Sequence, residues 1–281
     1  MRQTAILIFV ILFRGLTQAQ DPDTIHSNNS CFFSLYTGLT NNVTRDDAMS
    51  PFKYRGHSIP VEISYSYFST KNRQIFYASF DNLRLRSSLP NFENAGLNHY
   101  VQSTNFQMGY SYLLRAVRLT KYQCDLYLGG EISSFVNLRQ HAYIQNNEYL
   151  MIDQFNSLGF KAQFEKRFGN TKQTASVSLS IPLVSYVLMG DTYNAFVGSE
   201  IDPLVNYSGN MLYYLAKKGD FVSFNRLVYF KTDFSLVHFV GSHLGIEGRV
   251  CVRYYKYTQY QDLNFSRNLQ NQFLAGIVYR L

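Results

Sequence analysis

Charge is what this sequence has little of: Asp, Glu, Lys and Arg together make up 16% of its 281 residues. It also lacks a cysteine framework, since Cys31, Cys124 and Cys251 are odd in number, widely spaced and without a CxxC. HExxH, Walker-type glycine loops and Cys/His metal spacing are all missing, so no common metal or nucleotide motif marks a site. The longest apolar run near the start, Ala5–Phe13, is nine residues, far short of the roughly 20 that a spanning helix needs. No amphipathic helix of useful length stands out; the best candidate, Asn210 to Lys218, falls in a long loop. The net charge of +7 is spread along the chain, with no basic stripe of the kind that binds nucleic acid.

What is present is aromatic. Tyr and Phe number 23 each, a balance that suits strands better than helices. The first residues, MRQTAILIFVILFRGLTQAQ, have the parts of a secretory signal peptide: Arg2, the apolar run, and the small-residue cleavage site Thr17-Gln18-Ala19. Residues 1–19 are therefore expected to be removed, leaving 20–30 as a short N-terminal segment and 31–281 as a single domain. Loss of Arg2 and Arg14 lowers the formal charge from +7 to +5.

Residues 157–184 set the pattern for the rest. Leu158, Phe160, Ala162, Phe164 and Phe168 alternate with Gly159, Lys161, Gln163, Glu165 and Arg167. After Gly169-Asn170-Thr171-Lys172 the alternation resumes, with Val177, Leu179, Ile181 and Leu183 against Ser176, Ser178 and Ser180. A period of two on either side of a turn predicts a hairpin with one apolar and one polar face. Strands are expected at about 31–40, 59–70, 74–87, 100–117, 123–137, 154–168, 173–187, 221–239, 244–257 and 270–281. Twelve become possible if the 188–220 segment hides a hairpin. Connections alternate between short and long, which in an up-and-down meander gathers the short turns at one end and the long loops at the other. Strands of this length exceed the usual five or six residues and match a tilted bilayer crossing.

The apolar face decides the surroundings. Turned inward, it would overfill a barrel of this size, because eight strands already pack their interior with side chains. Turned outward, it meets hydrocarbon, and ring closure satisfies every backbone group. The expected fold is all-β, a closed antiparallel up-and-down transmembrane barrel of about ten strands. Tyr36, Tyr65, Tyr67, Phe168, Tyr186, Tyr254, Tyr257 and Tyr279 are expected to form interfacial girdles. Two irregularities are expected: a bulge to absorb Pro182, and a change of phase between Phe80 and Leu83.

The final NQFLAGIVYRL carries a resemblance. Gly276 is followed by apolar residues three and five places on, Tyr279 and Leu281, the last of them terminal. The stretch resembles the C-terminal assembly signal of the outer-membrane β-barrel superfamily, with Leu274 where a polar residue is usual and Leu281 where Phe is commoner. The resemblance implies an outer-membrane location, handling by the barrel-assembly machinery, and contact with membrane lipid and lipopolysaccharide. It also implies an external end where the 188–220 loop could meet an extracellular or envelope protein.

Chemistry is sought first on the inward face. Glu62, Arg115, Glu131, Lys161, Glu165, Lys231, Asp233, Glu247, Arg249 and Arg253 are expected in the lumen, with Asp125, Arg167 and Arg280. Pairing about Gly241 would set Asp233 opposite Arg249. Mutual neutralisation is the plain reading of these charges and a narrow ion path the sharper one. His57, His99, His141, Asp46-Asp47, Asp153, Asp191 and Asp202 fall on the external side. Ten-stranded outer-membrane proteases use acids and a histidine at that rim, but their spacings are unmatched here beyond Asp46-Asp47. His238 sits by a short turn, the wrong end for a lipase on the outer wall. No catalytic residue, metal or cofactor is assigned, and a non-enzymatic structural or binding barrel is the leading expectation. The sequons at Asn28, Asn42, Asn206 and Asn264 are about what chance supplies.

Overall fold

The computed structural model of the chain describes residues 30–46, 50–87, 100–141, 150–168, 172–188, 219–258 and 265–281. The leader, most of the 188–220 loop, His99, Asp47, Asp191 and Asp202 lie outside the described residues.

Twelve strands follow one another: β1 (Ser30–Asp46), β2 (Ser50–Ser58), β3 (Val61–Phe68), β4 (Asn72–Ser87), β5 (Tyr100–Leu119), β6 (Cys124–His141), β7 (Leu150–Phe168), β8 (Gln173–Leu188), β9 (Asp220–Val222), β10 (Leu227–Phe239), β11 (Leu244–Thr258) and β12 (Phe265–Arg280). Two pairs share a place. β2 and β3, parted at Ile59-Pro60, pair the two ends of β1 in turn. β9 and β10 divide β8 in the same way. Every pairing is antiparallel between neighbours, and β1 meets β12 from Phe32↔Arg280 to Asp46↔Ser266. The sheet therefore closes into a ring of 10 positions. Proline explains the break after β2: Pro60 has no N–H to give the ladder, and Thr37 Oγ1 donates to its carbonyl at 3.1 Å instead.

The faces are sorted by environment. Phe33, Leu35, Phe76, Phe106, Phe160, Phe164, Leu179, Phe234, Ile246 and Phe273 all stand exposed on the outer wall. Ser34, Ser64, Ser111, Lys161, Glu165, Ser180 and Lys231 are buried inside it. This is the reverse of a water-soluble protein, and it makes the chain a transmembrane β-barrel. Among the described residues no helix is long and apolar enough to cross a membrane; the strands make the crossing.

The strands run further than alternation alone indicates. β1 continues to Asp46 and its partner begins at Ser50, so the expected long connection there is largely strand. β6 reaches His141 and β7 starts at Leu150. The added residues mix polar groups with scattered apolar ones such as Val43, Leu138 and Ile152 and sustain no clear alternation, yet backbone pairing continues because each strand has a neighbour on either side. The short turns, including the 3-10 turn Thr120–Tyr122, gather at the end that also holds Ser30 and Leu281.

Pro182 is absorbed as expected. The β7–β8 register shifts between Leu158 and Gly159, which face Val184 and Pro182, so Leu183 and Val184 are both exposed. The other irregularity is absent: β4 pairs β5 without interruption through Asp81↔Asn105 and Leu83↔Ser103. The apolar Leu83 and Leu85 simply turn inward, where they are buried with Tyr54 and Val101. Tyr36 and Tyr257 also leave the expected girdle, since both are buried in the lumen. Tyr36 covers Gly276, whose missing side chain makes the space, and its hydroxyl donates to Glu247 at 2.7 Å.

Candidate functional site

The lumen is the candidate site, and it is layered. At the short-turn end lies a cavity of about 670 Å³, walled by serines such as Ser34, Ser64, Ser66 and Ser176 and reaching the turn residues Gly241 and Ser242. Small inward side chains on β1, β3, β8 and β10 leave this room. Cations border it: Arg115, Arg118, Arg167, Lys172 and Arg280. Arg118 and Arg167 approach Asp125 at 3.8 and 3.5 Å, and Arg280 donates to Ser30 Oγ at 2.7 Å.

Deeper in, the charges pair closely. Arg73 on β4 reaches across three ring steps to donate twice to Glu165 on β7, each bond 3.0 Å, a bidentate arrangement. Its guanidinium lies between the rings of Phe68 and Tyr127, at 4.6 and 4.3 Å. Lys161 Nζ is 2.8 Å from Glu131, which also accepts from Ser111 and Ser180 at 3.0 and 3.2 Å. On the facing wall Arg249 sits 2.6 Å from Glu62 and 3.5 Å from Asp233, and Lys231 is 3.7 Å from the same aspartate. The β10–β11 register sets Asp233 opposite Cys251 and Ser235 opposite Arg249, so the Asp233–Arg249 contact is diagonal rather than direct. Cys251 is buried, and all three cysteines are free thiols.

Above this level the lumen is bridged. Lys231 on β10 lies 4.0 Å from the centre of the Tyr77 ring on β4, five steps round the ring of 10. Arg253 on β11 donates to Gln107 on β5, again a diametric pair, and to Gln270 at 2.9 Å. Gln107 in turn donates to the Tyr77 hydroxyl at 3.1 Å. Beyond the bridge, towards the long loops, the lumen becomes apolar. Phe135, Phe155, Val187, Leu227, Tyr255 and Tyr257 form one buried cluster, with Phe155 and Tyr255 ring centres 4.9 Å apart.

Several lumen groups were not evident from the sequence. Arg73, Arg139 and Asp153 lie just past the strand limits that apolar alternation suggests, and Asp81 lies where a phase change was expected. Asp153 belongs to the wall rather than to a loop: it is buried on β7 and 2.6 Å from Arg139. Carrying the parity of each strand outward until a glycine or proline would have found them. His57 is exposed on the outer wall, and His238 and His243 are exposed beside a short turn. No group of three or more His, Cys, Asp or Glu able to hold a metal ion occurs among the described residues.

No protein-family model matches the chain. No curated protein matches it either. Solved structures do, by fold. The outer membrane protease OmpT from Escherichia coli is 8% identical with a TM-score of 0.48, the match covering 92% of this chain and 99% of that one. Neisserial surface protein A is 9% identical with a TM-score of 0.35, covering 89% and 97%. The translocator domain of the autotransporter NalP from Neisseria meningitidis is 7% identical with a TM-score of 0.36, covering 100% and 96%.

Proposed function

We propose that this chain, an outer-membrane β-barrel, works as a sealed structural or binding barrel and performs no catalysis. Its loop side would meet the exterior and its cavity would face the periplasm. One observation carries the reading: side chains five ring steps apart touch across the lumen, Lys231 with Tyr77 and Arg253 with Gln107. A wide, porin-like aqueous passage takes many more strands than ten, and in this chain the remaining width is spanned by bulky groups. The apolar cluster on the loop side reinforces the seal, because an aromatic plug offers a hydrated ion nothing to replace its water.

The charges are best understood as a structural network. Each carboxylate in the middle of the lumen has a cation or a hydroxyl within bonding distance, which is how buried charge is tolerated. Gly276, Tyr279 and Leu281 would serve assembly. Tyr279 and Leu281 are exposed on the outer wall, while Gly276 receives Tyr36 on the inside.

The second reading, a narrow passive channel, draws its support from the cavity at the short-turn end. Planar-bilayer recording of the purified, folded protein separates the two. The sealed barrel gives no stepwise conductance beyond that of protein-free bilayers. Reproducible unitary steps with ion selectivity would replace it with the channel.

A further inference from the structure

The cavity at the short-turn end holds aromatic rings that the seal does not use. Phe32 on β1, Phe68 at the end of β3 and Phe239 at the end of β10 all turn into it. They break the run of small polar groups on this part of the inner face. Phe32 stands between Ser30 and Ser34 in the inward register of β1, and Phe68 follows Ser64 and Ser66 on β3. The rings lie together, with the Phe32 centre 5.1 Å from that of Phe68 and 5.9 Å from that of Phe239. Phe135 and Phe155, on the loop side, are buried in a packed cluster, whereas these three are half-buried and border open space. Arg73 covers one face of Phe68 at 4.6 Å, so Phe32 and Phe239 present most of the apolar surface.

The facing wall is cationic. β7 lies five ring steps from β1, so Arg167 stands across the cavity from Phe32. Lys172 is exposed where the chain enters β8, and its carbonyl accepts from the Phe239 N–H at 2.8 Å, so the aromatic and cationic surfaces adjoin. Arg167 meets Asp125 at 3.5 Å, looser than the paired 3.0 Å bonds of Arg73, and its side chain is 39% exposed. Asp125 also serves Arg118 at 3.8 Å, so one carboxylate is divided between two guanidinium groups. On the aromatic side Arg280 is held by a neutral partner, Ser30 Oγ, which leaves its charge in place. The lining carboxylates Glu165 and Glu247 are already engaged, by Arg73 and Tyr36. A small anion entering the mouth therefore meets positive charge on one side, apolar rings on the other, and serine hydroxyls between.

We propose that this cavity binds a small soluble ligand in which a flat ring is joined to a phosphate, of the nucleoside monophosphate type. The ring would stack on Phe32 and Phe239, since such stacking tolerates any flat π-face. The phosphate would meet Arg167 and Lys172, because an arginine fork suits phosphate oxygens and a lysine adds point charge. Hydroxyls of the linking sugar would find Ser34, Ser64 and Ser66, which both donate and accept. A volume of about 670 Å³ lies within the usual range for such ligands. The proposal rests on the sealed, binding-barrel reading, because the seal gives the cavity its floor; the test keeps the two apart.

The mature chain, folded in mild detergent, is titrated by calorimetry with adenosine monophosphate, adenosine and inorganic phosphate, each alone. Adenosine monophosphate is expected to bind at least about tenfold more tightly than either part. Arg167→Gln/Lys172→Gln should weaken it about tenfold and leave adenosine unchanged. Phe32→Leu should weaken it and adenosine together and leave phosphate unchanged. Lys166→Gln, an outward cation at the short-turn end of β7, should change nothing. The heat-shifted gel band confirms folding of each variant, and Arg167→Gln alone, with a smaller loss, serves if the double variant lacks it. A folded chain that gives no heat with adenosine monophosphate, or binds phosphate as tightly, overturns the site. So does a folded cation variant that binds as the unaltered chain does. Each of these results leaves the sealed barrel standing, whereas unitary conductance in a planar bilayer removes the seal and with it the floor on which the site depends.

Discussion

At the scale of single side chains, the lumen separates pairs with one partner from groups with several. Lys161 pairs with Glu131 at 2.8 Å, both almost wholly buried, and donates to Ser111 Oγ at 3.0 Å. Glu131→Ala removes the carboxylate paired directly with that buried lysine and should cost about 3–5 kcal/mol. Asp233→Ala should cost less, because Arg249 keeps Glu62 at 2.6 Å and Lys231 keeps the Tyr77 ring. Melting of the heat-shifted gel band in detergent ranks the two, and an equal loss would mean that the network acts as one unit. A second contrast concerns Tyr36. Tyr36→Phe removes the donor to Glu247 and should cost about 1–3 kcal/mol, whereas Gly276→Val places a side chain where the ring lies and should cost more. Circular dichroism melts of the two variants check the order.

At the scale of the strand, one bulge carries a register decision. With Leu183 and Val184 both outward, Ser185 and Val187 are returned to the lumen. Deleting Leu183 restores strict alternation and should leave a barrel that still shows heat-modifiable migration. Inserting one residue between Val177 and Ser178 turns Leu179 and Ile181 into the lumen and should abolish that migration. Strand centres were legible in the sequence for the same reason: hydrocarbon outside and small or charged groups inside force a period of two on Phe160 to Phe168 and Val177 to Ile181. Strand ends were not, because Asn41 to Arg45 carry one apolar residue, Val43, among polar ones and are held by backbone pairing and polar bonds, such as Asn268 Nδ2 donating to Asn42 Oδ1 at 2.9 Å. The inward aromatics were equally hidden. Phe135, Phe155, Leu83 and Leu85 break the two-face rule, and only the closed ring shows that they fill a space that water would otherwise occupy.

At the scale of the molecule, the seal is narrow in height. Two diametric contacts and an aromatic layer separate the short-turn cavity from the loop side. Tyr77→Ala combined with Arg253→Ala removes one partner from each contact and opens the middle of the lumen. Phe135→Ala and Phe155→Ala added to the pair clear the layer above. Bilayer recordings should show conductance for the quadruple variant and none for the unaltered chain. Silence from a quadruple variant that still shows the heat-shifted band would place the seal in the loops instead.

The seam between the first strand and the last has a consequence for how the chain is made. Fifteen paired positions join β1 to β12, and neither strand can satisfy its outer edge until the other is present. A chain cut before Phe265 therefore has two raw sheet edges and no way to shut. Such a product leaves β1 and β11 both unmatched and should be cleared by periplasmic proteases rather than accumulate as a smaller barrel.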